Sequence, residues 1–195
     1  MLLDKNYWEE RYLSGNTPWD IGKISTPIKD YFQSLENKNI RILIPGAGNS
    51  YEAEYLFNNG FQNVYVLDFS EEALKKFSKR CPDFPSQQLI SENFFSHNGK
   101  YDLIIEQTFF CALNPELRTN YVLKMHQLLK PGGKLCGLLF NDPELKGNPP
   151  FGGSSEEYIH LFKNNFEIIR MEKARNSITP RMNREVFFEI KSKHN

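Results

Sequence analysis

Residues 41–70 read RILIPGAGNSYEAEYLFNNGFQNVYVLDFS. An apolar run, Arg41 to Pro45, passes directly into Gly46-Ala47-Gly48, and a helical stretch follows. A second apolar run, Val64 to Leu67, then ends at Asp68. Strand, glycine turn, helix and a strand tipped with a carboxylate are the parts of a nucleoside-binding half of an open α/β sheet. Gly46 and Gly48 let backbone approach a ligand where a Cβ would collide. Asp68 can accept both ribose hydroxyls of an adenosine.

The turn also discriminates between nucleoside cofactors. A dinucleotide fingerprint places a third glycine where this chain has Tyr51, because a pyrophosphate must rest on the helix N-terminus. Glu52 puts negative charge at that helix start, and no Lys or Arg lies between Gly46 and Leu74 to offset phosphate. S-adenosylmethionine carries an adenosine, no phosphate and a positive sulfonium, so the turn suits it better than NAD. A nucleotide-linked oxidoreductase is the second reading, and a structural glycine turn in another α/β protein the third.

Around this segment, strands and helices alternate. Asp4 to Leu13 reads as a helix, broken at Gly15-Asn16-Thr17-Pro18. Thr26 as N-cap with Pro27 at N1 opens another helix to about Leu35. Ser70 with Glu71 and Glu72 starts a helix to about Arg80, and Gln87 to Ile90 is a short strand. Tyr101 to Glu106 is a strongly apolar strand, and Pro115-Glu116 begins a long helix to Leu129. Lys130-Pro131-Gly132-Gly133 stops that helix, and Lys134 to Phe140 is the next strand. Ser154 with Glu157 is a capping box, and Phe166 to Glu172 and Glu185 to Lys191 are the closing strands. The alternation predicts an α/β fold with a mostly parallel sheet and helices on both faces. Two closing strands without a helix between them predict one antiparallel edge strand in a seven-stranded sheet.

The 195 residues suit one domain, in which residues 1–38 form an N-terminal helical lid and 39–195 a Rossmann-like core. Lys+Arg and Asp+Glu each number 24, a balance that argues against a nucleic-acid partner. The N-terminus lacks a signal-peptide pattern and no run is long enough to span a membrane, so a cytoplasmic protein is expected. The three cysteines, Cys81, Cys111 and Cys136, and the four histidines at 97, 126, 160 and 194 show no metal or disulfide spacing. A monomer acting on a small-molecule acceptor, without a metal, is the expectation.

Candidate site residues fall before the sheet and at the carboxyl ends of its strands, where ligands of such sheets bind. Trp8, Tyr12 and Trp19 either cover the cofactor, their faces drawn to a sulfonium, or pack their helix onto the domain. Asn93 either bonds an adenine edge, with Phe94 packed on the ring, or closes an Asx turn. Side chains at 106 to 110 should face the transferred methyl, with at least one of Phe109 and Phe110 in the core. Phe151 lines an acceptor pocket or belongs to a proline turn. Arg175 and Arg181, between the last two strands, are cations available to an anionic acceptor.

Taken together, these residues resemble the thiopurine methyltransferase superfamily, which includes the halide/thiol methyltransferases. Trp8-Glu9-Glu10-Arg11-Tyr12 and Thr17-Pro18-Trp19-Asp20 resemble its two-aromatic helix and TPWD box. Pro45 to Gly48 and Asp68-Phe69-Ser70 resemble its cofactor motifs. Phe109 to Leu113 with Pro115 to Arg118 is similar to the halide/thiol branch, while Asn141-Asp142-Pro143 and Pro149-Pro150-Phe151 are similar to the thiopurine branch. Leu128 to Gly133 is common to many methyltransferases.

The resemblance implies a class I, S-adenosylmethionine-dependent methyltransferase with cofactor contacts at Trp8, Tyr12, Trp19, Gly46, Gly48, Asp68, Phe69, Asn93, Phe94 and Gln107. Position 12 is Tyr where the family usually has Trp. Position 107 is Gln where the thiopurine branch has Arg and the halide/thiol branch Tyr. The expected acceptor is a small soft nucleophile, oriented by Gln107 and Arg181. A cofactor-binding regulator without turnover is the rival from another class.

Overall fold

The computed structural model describes residues 2–193, so His194 lies outside the described residues. Seven strands form one sheet: β1 (Ile42–Pro45), β2 (Val64–Asp68), β3 (Leu89–Ser91), β4 (Tyr101–Gln107), β5 (Leu129–Phe140), β6 (Phe166–Lys173) and β7 (Glu185–Ser192). Their order is β3-β2-β1-β4-β5-β7-β6. The first five run parallel, and β7 runs antiparallel to both β5 and β6. The reversed strand therefore lies one place in from the edge, with β6 outside it.

Six helices complete the fold: α1 (Lys5–Ser14), α2 (Thr26–Gln33), α3 (Tyr51–Asn58), α4 (Glu71–Arg80), α5 (Arg118–Leu128) and α6 (Ser155–Phe162). Alternate strand residues point to opposite faces of a sheet, and that alternation divides the core in two. Ile42, Ile44, Val64, Val66, Leu103 and Ile105 pack with Ile28 and Phe32 of α2, Leu56 of α3 and Phe77 of α4. Leu43, Leu67, Ile104 and Leu135 pack on the other side with Tyr121 and Met125 of α5 and Tyr158 and Phe162 of α6. Each such fully buried side chain contributes about 1.5–3 kcal/mol by leaving water.

Local signals set most of the ends. The Asp4 carboxylate caps α1 by accepting the Tyr7 N–H at 2.9 Å, and Gly15 closes it at φ 71. Ser70 caps α4 through Ala73 N–H, and Ser154 caps α6 through Glu157 N–H. Three boundaries differ from the sequence pattern. The α2 cap is Ser25, one residue earlier than Thr26, and the helix ends at Gln33. The helix expected from Pro115 begins as a 3₁₀ turn, Pro115–Leu117, whose Asn114 cap accepts Glu116 N–H, before α5 starts at Arg118.

The third difference is at Lys130 to Gly133, which stops α5 but does not form a separate loop. Strand β5 begins at Leu129, opposite Tyr101, and pairing resumes at Lys134 opposite Leu103. The extra residues bulge around Asp102, whose carboxylate binds the Lys130 ammonium at 2.9 Å and the Arg41 N–H at 2.8 Å. Among the described residues no helix is long and apolar enough to cross a membrane.

Candidate active site

The carboxyl ends of β1, β2 and β4 open into a cavity of about 780 Å³. Its floor is the glycine turn after β1, where Gly46 and Gly48 have φ of +57° and +53°. The left-handed region favours glycine, and close packing forbids a Cβ as well. At Gly46 it would lie 2.1 Å from Cδ2 of Phe109, and at Gly48 2.5 Å from the Tyr12 hydroxyl. The turn is thereby pressed between the lid and the loop after β4.

Asp68 is buried at the tip of β2. Its Oδ2 accepts the Gly48 N–H at 2.9 Å and its Oδ1 the Ser70 N–H at 2.8 Å. Burial pushes its carboxyl up to about 6, opposed by the Ser70 and Gly48 amide bonds. Each oxygen keeps a lone pair beyond the one its amide uses, which is what a ribose diol needs.

The roof is aromatic. Trp19 meets Trp8 edge-on at 5.4 Å and Tyr12 at 5.8 Å, and all three line the cavity. All three wall the cavity, and Tyr12 is also buried against the turn, so its helix is packed onto the domain. Helix α1 rests on α4 through Lys5–Glu71 at 2.8 Å, the Glu9 carboxylate accepting Glu72 N–H, and Lys76 donating to the Tyr12 carbonyl. Asp20 ties the roof to the floor by accepting from the Asn49 amide at 2.5 Å and the Tyr51 hydroxyl at 3.4 Å. Within residues 1–38, α1 and the segment to Lys23 line the cavity, whereas α2 is a core helix and does not.

At the ends of β2, β3 and β4 lie the remaining candidates. Phe69, Asn93, Phe94 and Gln107 all line the cavity. Asn93 Oδ1 accepts the Phe95 N–H at 2.8 Å, so the Asx turn is formed. Phe94 is buried edge-on against Phe109 at 5.1 Å. Gln107 Oε1 is buried with no hydrogen-bond partner. Phe109 lines the cavity, Phe110 is core against Tyr121 and Tyr158, and Glu106 is fully buried away from the cavity.

Arg181 also lines the cavity, with its guanidinium engaged: Nη2 donates to the Trp19 carbonyl at 2.7 Å and Nη1 lies 3.5 Å from the buried Glu185 carboxylate. Two open alternatives are decided. Phe151 does not line this cavity; its N–H donates to the Cys111 carbonyl, and the residue borders a separate 310 Å³ cavity beside Arg118. Arg175 is exposed and outside both. Sequence reasoning did not single out Asp20, Asn49 or Cys111 as cavity residues, though Asp20 stands in the quoted Thr17 to Asp20 box; Thr108, within the 106 to 110 stretch it did name, lines the cavity. No histidine lines the cavity among the described residues; His97 is buried between Glu92 and Tyr101. Among those residues no group of three or more His, Cys, Asp or Glu could hold a metal ion.

These walls fit S-adenosylmethionine: a buried carboxylate with a lone pair left on each oxygen for the ribose, aromatic faces for a sulfonium, and no phosphate-binding cation on the glycine turn. A family profile described as thiopurine S-methyltransferase matches residues 3–193. Probable thiol methyltransferase 2 of Arabidopsis thaliana is 34% identical over 184 residues, 91% of this chain and 81% of that one. Thiocyanate methyltransferase 1 of Brassica oleracea is 29% identical, covering 94% and 83%. Among solved structures, the Burkholderia thailandensis 1,6-didemethyltoxoflavin-N1-methyltransferase, with substrate and S-adenosylhomocysteine bound, superposes with a TM-score of 0.80 at 14% identity, covering 98% of this chain and 88% of that one. At that identity the likeness speaks for the fold alone.

Fold and cavity are those of a class I methyltransferase that uses S-adenosylmethionine. The match over nearly the whole chain places it more narrowly. It belongs to the thiopurine S-methyltransferase family.

Proposed function

We propose that this enzyme methylates a small soft nucleophile, such as a thiol, hydrosulfide, thiocyanate or halide, with thiopurine-like aromatic thiols in the same class. One observation carries the reading: among the described residues no histidine lines the cavity, and its buried carboxylates, Asp68 and Glu52, accept backbone amides. Soft anions need no proton removed. The relatives named for thiol and thiocyanate transfer support the same class.

S-adenosylmethionine supplies a methyl on a positive sulfur, which an acceptor lone pair displaces in line while the C–S electrons return to sulfur as a neutral thioether. The chain's contribution is alignment and exclusion of water. Trp8, Tyr12 and Trp19 would cover the sulfonium. Gly46, Gly48 and Phe69 would shape the backbone around the nucleoside, Asp68 would accept the ribose hydroxyls, and Asn93 and Phe94 would flank the adenine. Gln107 stands at the boundary of cofactor and acceptor, where its amide N–H donates to an anion. Arg181 adds positive potential at the acceptor end while holding the roof by the Trp19 carbonyl.

The lid is α1 with the segment that follows it to Lys23, part of a single domain. The enzyme acts as a monomer in the cytoplasm on small molecules, without nucleic acid or membrane; three buried free cysteines and the balanced charge support this. Gln107→Ala is expected to lower kcat/KM for the acceptor about tenfold, the worth of one hydrogen bond to an anion, with a smaller change in cofactor affinity. Initial rates against acceptor concentration measure it. An unchanged kcat/KM would remove Gln107 from the acceptor site.

A further inference from the structure

Glu106 has no part in the roles described so far, yet it is the most completely satisfied carboxylate near the site. It is fully buried at the end of β4, directly before Gln107. Oε1 accepts the N–H of Phe109 at 2.8 Å and of Phe110 at 2.9 Å, and Oε2 accepts the Tyr121 hydroxyl from α5 at 2.5 Å. Those three donors oppose its burial, and no cation is among them. A buried carboxylate without a cation costs several kcal/mol, so packing stability alone does not account for it.

The three bonds close the turn that carries Gln107, Thr108 and Phe109 to the cavity wall. Thr108 has φ 59°, a conformation unfavourable for a β-branched residue by about 1–2 kcal/mol. The Phe109 ring occupies the space a Cβ on Gly46 would need. On the far side, Gly137 of β5 leaves room for the Glu106 carbonyl, 1.9 Å from where its Cβ would be. The turn is thus fixed against both the glycine turn and the sheet.

We propose that Glu106 is a positioning residue for methyl transfer: its ionised carboxylate, oriented by Tyr121, holds the Gln107–Phe110 turn in the strained shape that sets the acceptor end of the site against the glycine turn. A carboxylate accepts from all three donors. A protonated acid reverses the Tyr121 bond, its own O–H donating to the Tyr121 oxygen, and leaves the Phe109 and Phe110 amides on a neutral oxygen, so their bonds lose the assistance of the charge. Burial raises the Glu106 carboxyl to about 7, within the working range. The titratable groups coupled to it are Tyr121 on α5 and Cys111 on the following turn, both held protonated well above their ordinary values. The transition near neutrality therefore belongs to Glu106.

The test has two arms. The first rests on the proposed acceptor class: kcat with thiocyanate, whose charge is constant, at saturating cofactor. It should rise about tenfold through a midpoint near pH 7, by the worth of one charge-assisted bond. Glu106→Gln should be low and flat. Tyr121→Phe should move the midpoint upward, because it removes a donor that favours the ionised form. The second arm needs no acceptor: protection of the Phe109 and Phe110 amides against hydrogen exchange should fall about tenfold below the midpoint in the unaltered protein and stay low at every pH in Glu106→Gln. Amide protection that ignores pH and is unchanged in Glu106→Gln would overturn the proposal, whether or not thiocyanate turns over. Should Glu106→Gln fail to fold, a midpoint unmoved in Tyr121→Phe would do the same.

Discussion

Asp68→Ala is expected to weaken S-adenosylmethionine binding by about 100- to 10,000-fold, measured by titration calorimetry. Two hydrogen bonds to a buried carboxylate are worth about 1.5–3 kcal/mol each, and each 1.4 kcal/mol is a factor of ten. The unaltered protein should show the same loss progressively as pH falls below about 6, where Asp68 takes up its proton. Apo-protein stability should respond with the opposite sign. The folded carboxyl is raised above its unfolded value of 3.8. Its contribution is therefore complete at low pH and is lost as pH rises from about 4 through 6. Denaturant midpoints across that window measure it. Asp68→Asn keeps one acceptor for the Gly48 and Ser70 amides, and so separates lost binding from lost folding.

Gly46→Ala carries the second large expected effect: a loss of about 2–5 kcal/mol in stability together with most of the activity. The left-handed backbone contributes about 1–2 kcal/mol and the collision with Phe109 about 1–3 kcal/mol. Phe109 cannot yield without moving the turn that presents Gln107. Gly48→Ala meets only the tip of Tyr12, so it should displace the lid and weaken cofactor binding while the core stays folded. Gly132→Ala is the control. Its φ is +72° but its Cβ would meet nothing closer than 3.5 Å, so only the backbone cost of about 1 kcal/mol applies. Urea denaturation and cofactor titration on the three variants distinguish these cases.

The sheet was legible because strand alternation and helix caps are local. The Val64 to Leu67 run, Ser70 and the Ser154–Glu157 box each specify their own element whatever surrounds them. The Gly46 to Asp68 segment was legible for the same reason, since the turn and the carboxylate are joined by one helix and one strand. What was not legible depends on distant partners. Asp102, across the sheet, draws Lys130 into a bulge where the sequence shows only a helix stop. Helix α2 reads as part of the lid by position, but Ile28 and Phe32 find their partners on α3 and the sheet. Arg181 reads as a free cation between strands, and only the fold brings the Trp19 carbonyl and Glu185 to it. Phe151 stands beside Pro149 and Pro150, which do line the cavity, but its own amide is drawn to Cys111 and it borders a separate cavity.

The most direct measurement is S-adenosylhomocysteine formation from S-adenosylmethionine with iodide, thiocyanate, hydrosulfide and an aromatic thiol supplied one at a time. Turnover on at least one soft nucleophile, lost in Asp68→Ala, is the result this account predicts, and the preferred acceptor reports what Gln107 selects. Tight cofactor binding with no product from any of the four, and methyl transfer only to an oxygen or nitrogen acceptor, would contradict it.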